Sequence, residues 1–112
     1  MEKTASGLDE NLAGALAYGL GWISGLFFLL TESSNTFVRF HAFQSVILFG
    51  GLSIAWFVSM AVPPIGWILA MVVIPVVSAV LWLLLMFKAY QGERFKVPVA
   101  GDMAEQRVHM RP

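Results

Sequence analysis

The run "AFQSVILFGGLSIAWFVSMAV", residues 42–62, contains no Asp, Glu, Lys or Arg. At about 1.5 Å per residue, a helix of this length spans about 30 Å, the thickness of a bilayer's hydrocarbon core. Two further uncharged runs flank it, Leu12 to Leu30 and Ile65 to Phe87. Lipid offers no partners to backbone N–H and C=O groups, and three short strands cannot close a barrel, so all three runs read as helices. The expected fold is all-α, an integral membrane protein with three transmembrane helices over about 12–30, 37–62 and 65–89. A short polar amino terminus, 1–11, precedes this membrane domain of 12–90, and a polar cytosolic tail, 91–112, follows it.

Composition supports a membrane solvent. Of 112 residues, 58% are hydrophobic and 12% charged, too apolar a balance for a soluble domain of this size. Net charge is zero and the basic residues are scattered, so no stripe exists to follow a nucleic-acid backbone, and nucleic acid is excluded as a partner. The chain has no cysteine, and His41 and His109 lack ligand spacing. No metal and no cofactor is therefore expected. Glu2, Lys3, Asp9 and Glu10 make a poor secretory leader, so the first run is expected to stay as a spanning helix.

The connectors carry their own signals. Ser6 or Asp9 suits the cap of the first helix, and "TESSNT", residues 31–36, offers Ser34, Asn35 and Thr36 for the second. In "VPPIG", residues 62–66, Pro63 biases Val62 away from helical geometry and Pro64 suits the start of the next helix, which predicts a tight Pro-Pro hairpin. Pro75 removes a donor within the third run and predicts a kink. Arg39 in the first connector and Lys88, Arg94 and Lys96 after the third run oppose Lys3 alone, which predicts an amino terminus outside and a carboxyl terminus in the cytosol of a prokaryotic cell. Lys88, Tyr90, Arg94, Phe95 and Lys96 read as interface anchors, with the remaining tail poorly ordered.

Two rows of small residues recur at four-residue spacing: Ala13, Ala17, Gly21 and Gly25 in the first run, and Gly51, Ala55 and Ser59 in the second. Such rows let backbones approach and read as packing surfaces, within one protomer or between protomers. Ahead of the central run stands "FVRFHAFQS", residues 37–45. Helical spacing groups Phe37, Phe40, His41 and Gln44 on one side and Arg39 with Phe43 on another. Arg39 is expected to snorkel to the headgroups, His41 to act as a neutral hydrogen-bonding group, and Gln44 to seek Tyr18 or a backbone carbonyl. These residues read either as interhelical glue and anchorage or as a polar mouth made by Arg39, His41 and Gln44.

No carboxylate pair, Ser-His-Asp set, Gly-rich phosphate loop or intramembrane acid is present in the sequence, which argues against an enzyme and against a proton-coupled transporter. The segments "GLDENLAGALAYGLGWISGLFFLL", "NTFVRFHAFQSVILFG" and "KAYQGERFKVPVAGDMAE" resemble a family of small bacterial and archaeal membrane proteins of unknown function, distantly related to the chloroplast inner-envelope import component Tic-twenty. The resemblance covers roughly residues 7–105. It implies an all-helical membrane protein and, for the chloroplast relative, a channel-forming role in protein translocation. The chloroplast proteins have a fourth helix and a longer amino-terminal region, both missing here. The expected function is a non-enzymatic, self-associating membrane protein that forms part of a polypeptide or solute passage or docking site. The alternative is an accessory subunit that binds another membrane protein through its small-residue faces. The partners implied are the bilayer and either further copies of the chain or another membrane protein.

Overall fold

The computed structural model describes residue 4 and residues 7–108, and it is all-helical. In chain order come α1 (Glu10–Leu16), α2 (Trp22–Thr31), α3 (Thr36–Met60) and α4 (Ile65–Ile68). A π-helical turn (Leu69–Val73) then leads into α5 (Ile74–Tyr90), and α6 (Ala100–Arg107) lies in the tail. Two segments, Thr36–Met60 and Ile65–Tyr90, are long and apolar enough to cross a membrane.

The first apolar run corrects the expectation of a continuous spanning helix. It breaks at residues 17–21 into α1 and α2, and Gly21 at the break has φ 64° and ψ −135°, a backbone region that essentially only glycine occupies. Contacts along α3 show that the chain reverses there. A Cβ on Gly14 would stand 2.8 Å from the Phe37 ring, Gly21 faces Phe49, and a Cβ on Gly25 would stand 2.9 Å from the Ala42 carbonyl. Glu10 meets Asn35, whose Nδ2 donates to Glu10 Oε1 at 3.0 Å. Thus α1 runs down beside α3 and α2 returns, so the pair is a helical hairpin whose tip reaches the level of Phe49, about 20 Å along α3.

A broken helix leaves backbone groups without partners, and inside lipid each needs one. Ser24 Oγ accepts from the Leu20 N–H at 2.9 Å and donates to the Ala17 carbonyl at 2.9 Å. Ser45 Oγ in α3 donates to the Gly21 carbonyl at 2.7 Å, and Trp82 Nε1 in α5 donates to the Tyr18 carbonyl at 2.8 Å. Side chains from three helices therefore satisfy the tip.

The same geometry brings the start of α1 close to the end of α5. Asn11 Nδ2 donates to the carbonyl of Tyr90, the last residue of α5, at 3.0 Å. The start of α1, the 32–35 connector and the end of α5 consequently lie at one end of the molecule.

Asn35 caps α3, with Oδ1 accepting from the Val38 N–H at 3.1 Å. Asp9 holds the N-cap position of α1 without a side-chain capping bond, while Ser6 and His109 lie outside the described residues. Residues 61–64 join α3 to α4, and Gly66 lies against the Ser59 carbonyl so closely that any side chain there would collide. At Pro75 the disturbance takes the form of the π-turn that precedes it. In a π register the Ala70 carbonyl would look to the N–H of residue 75, which proline lacks, and the Trp56 indole N–H fills that place at 2.9 Å.

The tail also departs from expectation. Residues 93–97 lie extended along α3, and α6 packs beside them, burying Ala104 and Val108 against Phe40. The reason is in the side chains that receive it.

Candidate functional site

Three buried polar residues of α3, Arg39, His41 and Gln44, meet the tail and the hairpin at the end of the molecule that carries the termini. His41 and Gln44 are fully buried and Arg39 is 1% exposed. Asn35 fixes the start of α3, and the helical spacing expected from the sequence then places the edges of the Phe37 and Phe40 rings on His41 at 4.6 and 5.1 Å between centroids. Arg39 lies over the Phe43 ring at 5.3 Å.

Gln44 bonds through both of its amide atoms. Its Nε2 donates to Tyr18 Oη at 2.8 Å and to the Phe95 carbonyl at 2.9 Å, while Oε1 accepts from the Val97 N–H at 2.8 Å. That last bond fixes the amide's orientation, because a backbone N–H can only donate. His41 Nε2 lies 2.9 Å from the Glu93 carbonyl, which can only accept, so this nitrogen carries hydrogen. The other nitrogen, Nδ1, lies 2.6 Å from Tyr18 Oη. A neutral ring therefore accepts there from the tyrosine hydroxyl, completing a directional series from Gln44 through Tyr18 to His41.

Arg39 does not snorkel. Its Nη1 donates to the Leu29 and Glu32 carbonyls at 3.3 and 2.6 Å, and Nε donates to the Val108 carbonyl at 2.7 Å. These carbonyls belong to the ends of α2 and α6, where helix dipoles are negative and last-turn oxygens lack intrahelical partners. One guanidinium closes two helices at once, and that supply of acceptors keeps it inside.

Among the described residues, the hydrogen bonds that these three side chains make to the tail reach main-chain atoms, at residues 93, 95, 97 and 108. The first three alternate along the extended segment at the period of a strand. Around this line Arg94 and Lys96 approach Glu105 at 3.9 Å each and Lys88 pairs with Glu93 at 3.4 Å, all partly exposed and individually weak. Arg94 Nη2 also donates to Thr36 Oγ1 at 2.7 Å. Among the other expected anchors, Tyr90 and Phe95 are exposed.

The small-residue rows separate. Ala13 and Ala17 are buried and Gly25 meets α3, but the break at Gly21 divides this row between α1 and α2. In α3, Gly51 and Ala55 are exposed, with nothing within 4 Å of a Cβ at Gly51, and Ser59 is half-buried beside Gly66. Sequence reasoning named Tyr18 as a partner for Gln44 but missed the tail backbone and the roles of Ser24, Ser45 and Trp82. The two glycines of "YGLG", residues 18–21, were the available signal for the break.

Comparison with known proteins agrees with a membrane protein. Residues 4–104 match the magnetosome magnetite crystal formation protein family. A UPF0132 membrane protein of Methanocaldococcus jannaschii is 51% identical over 108 residues, covering 95% of this chain and 94% of the relative. Another from that organism is 50% identical over 102 residues, covering 91% and 72% respectively. A UPF0132 membrane protein of Archaeoglobus fulgidus is 45% identical over 101 residues, covering 90% and 97%. No solved structure matches the chain. By the extent of these matches, the chain belongs to the magnetosome magnetite crystal formation protein family, among the UPF0132 membrane proteins.

Proposed function

We propose that the protein is a non-enzymatic subunit of a prokaryotic cytoplasmic membrane that docks an extended polypeptide on Arg39, His41 and Gln44, with its own tail as the resident occupant. The observation that carries this reading is that, among the described residues, the hydrogen bonds from these side chains to the tail go to its main chain. A site that bonds main-chain atoms at alternate residues accepts many sequences, as strand-addition sites do. Docking is favoured over passage, because these groups are buried and hydrogen-bonded within one protomer, and a pore needs an oligomer around it. Docking is also favoured over direct iron binding, since among the described residues no group of three His, Asp or Glu side chains could hold a metal ion. The resemblance to the Tic-twenty group points the same way, toward polypeptide handling.

In this reading two helices cross the bilayer and the α1–α2 hairpin enters and returns, which replaces the three-crossing arrangement. Lys88, Arg94 and Lys96 gather at the end that holds the termini, while residues 61–64 carry no charge, so that end faces the cytosol.

The test uses the full chain in lipid nanodiscs and two labelled peptides, one with the sequence of residues 93–108 and one with the same residues scrambled. Both are expected to bind saturably, to raise protease cleavage after Arg94 and Lys96 by displacing the tail, and to lose binding in Gln44→Leu. Failure of both peptides to bind would make the tail a permanent structural element and remove the docking role. A second reading, an accessory subunit held to another membrane protein or to further copies, is favoured by the open Gly51 and exposed Ala55 on the outer half of α3. Gly51→Leu should then abolish partner recovery while leaving peptide binding intact.

A further inference from the structure

Away from the tail, a cleft of about 330 Å³ opens where the two irregular stretches of backbone face each other, the hairpin tip at Gly21 and the π-turn before Pro75. Irregular backbone at membrane depth is tolerated where it is buried in protein or lines a cavity. Here both sides are held: Ser45 and Trp82 pin the tip carbonyls, and Trp56, tied to the Ala70 carbonyl, forms part of the wall. The cleft therefore has fixed walls.

Its chemistry narrows what fits. Trp22, Phe49 and Trp56 supply flat aromatic surface, and no ionisable side chain lines the space. Ser53 and Ser78 also line it, and neither hydroxyl makes a hydrogen bond among the described residues, although Ser24 and Ser45 nearby are both bonded. Ser53 lies about 26 Å from the start of α3 and about 10 Å before its end, and Ser78 lies about 18 Å before the end of α5. Leu20, 73% exposed, and Trp22, 40% exposed, stand at the rim, so access is from the lipid.

We propose that this cleft binds one molecule of an uncharged, lipid-soluble compound of the quinone class, its ring against Trp22, Phe49 and Trp56 and a carbonyl oxygen accepting from Ser53 and Ser78. An acceptor oxygen satisfies two hydroxyl donors that otherwise face hydrocarbon. The aromatic walls suit a flat ring by offset or edge stacking, and the absence of a charged liner selects a neutral ligand. The proposal does not depend on docking at Arg39, His41 and Gln44, which lie at the terminus-bearing end of the molecule.

The test titrates decyl-benzoquinone into the full-length protein in phosphatidylcholine nanodiscs and follows tryptophan fluorescence. Saturable quenching at one equivalent per protomer is expected, about tenfold weaker in Ser53→Ala/Ser78→Ala and retained in Ser53→Thr/Ser78→Thr. Decylcyclohexane, which has the tail without carbonyls or a flat ring, should not compete. Non-saturating quenching equal in all variants would mean only partition into the bilayer and overturns the proposal. Equal competition by decylcyclohexane also overturns it, because the cleft would then take any apolar chain, a lipid's included.

Discussion

At the scale of the residue, Arg39 shows how a charge can be stable inside this molecule. Arginine presents several donors in a planar fork, and here they reach the ends of α2 and α6 from one position. Lysine is a single point charge and cannot reach both. Arg39→Lys is therefore expected to leave the Val108 carbonyl without its partner while keeping the paired Leu29 and Glu32 acceptors. The cost should be about 1–3 kcal/mol, read as lowered stability in detergent denaturation. Hydrogen exchange should quicken in residues 104–108 and stay unchanged in α2; uniform quickening across both would show that the two ends are not separately held. The identity of Arg39, His41 and Gln44 as a group was legible in the sequence, because they share the start of one helix. Tyr18 as a partner for Gln44 was legible as well, but the tail partners were not, since main-chain atoms 50 or more residues away leave no mark in composition or spacing.

At the scale of the element, the irregularities are matched to particular side chains. Trp56 and Pro75 form such a match, the indole N–H supplying what the imino acid omits. Trp56→Phe should cost about 1–3 kcal/mol by orphaning the Ala70 carbonyl, whereas in a Pro75→Ala background the new N–H can take that carbonyl and the same change should cost less. A double-mutant cycle in thermal unfolding is expected to show coupling of at least about 0.5 kcal/mol, and strictly additive effects would refute the match. The kink expected from Pro75 was a correct warning of irregular backbone, but its form as a π-turn depended on a donor from another helix. The break in the first run was harder to read: glycine is common in transmembrane helices, so Gly19 and Gly21 alone do not separate a tight crossing from a reversal. The reversal requires Ser45 and Trp82 to receive the freed carbonyls, and these lie on other helices.

At the scale of the whole molecule, the proposed topology of two crossings rests on the returning hairpin. The chain has no cysteine, so single cysteines report sidedness cleanly. In intact cells, Asp9→Cys, Ser33→Cys and Gln91→Cys should all resist a membrane-impermeant maleimide and react after permeabilisation, while Ala61→Cys reacts from outside. Labelling of Asp9→Cys from outside together with protection of Gln91→Cys would restore three crossings. The positive-charge pattern predicted an outside amino terminus and a cytosolic carboxyl terminus, and the same labelling tests both. Length and hydrophobicity are the same for a run that crosses and for one that enters and returns, so the sequence alone does not count the crossings.

What the sequence determined by itself is the solvent, the helical state of the chain and the two long apolar segments, because uncharged length against bilayer thickness and the backbone's need for partners are local properties. It also determined that polar side chains gather at the start of α3, which follows from helical periodicity. Only the tertiary structure decided that the first run reverses at Gly21, that Arg39 closes two helix ends instead of reaching for headgroups, and that the tail lies extended across His41 and Gln44. Each of these rests on a hydrogen bond between atoms far apart in the chain, and such a pairing has no existence until packing brings the two groups within 3 Å.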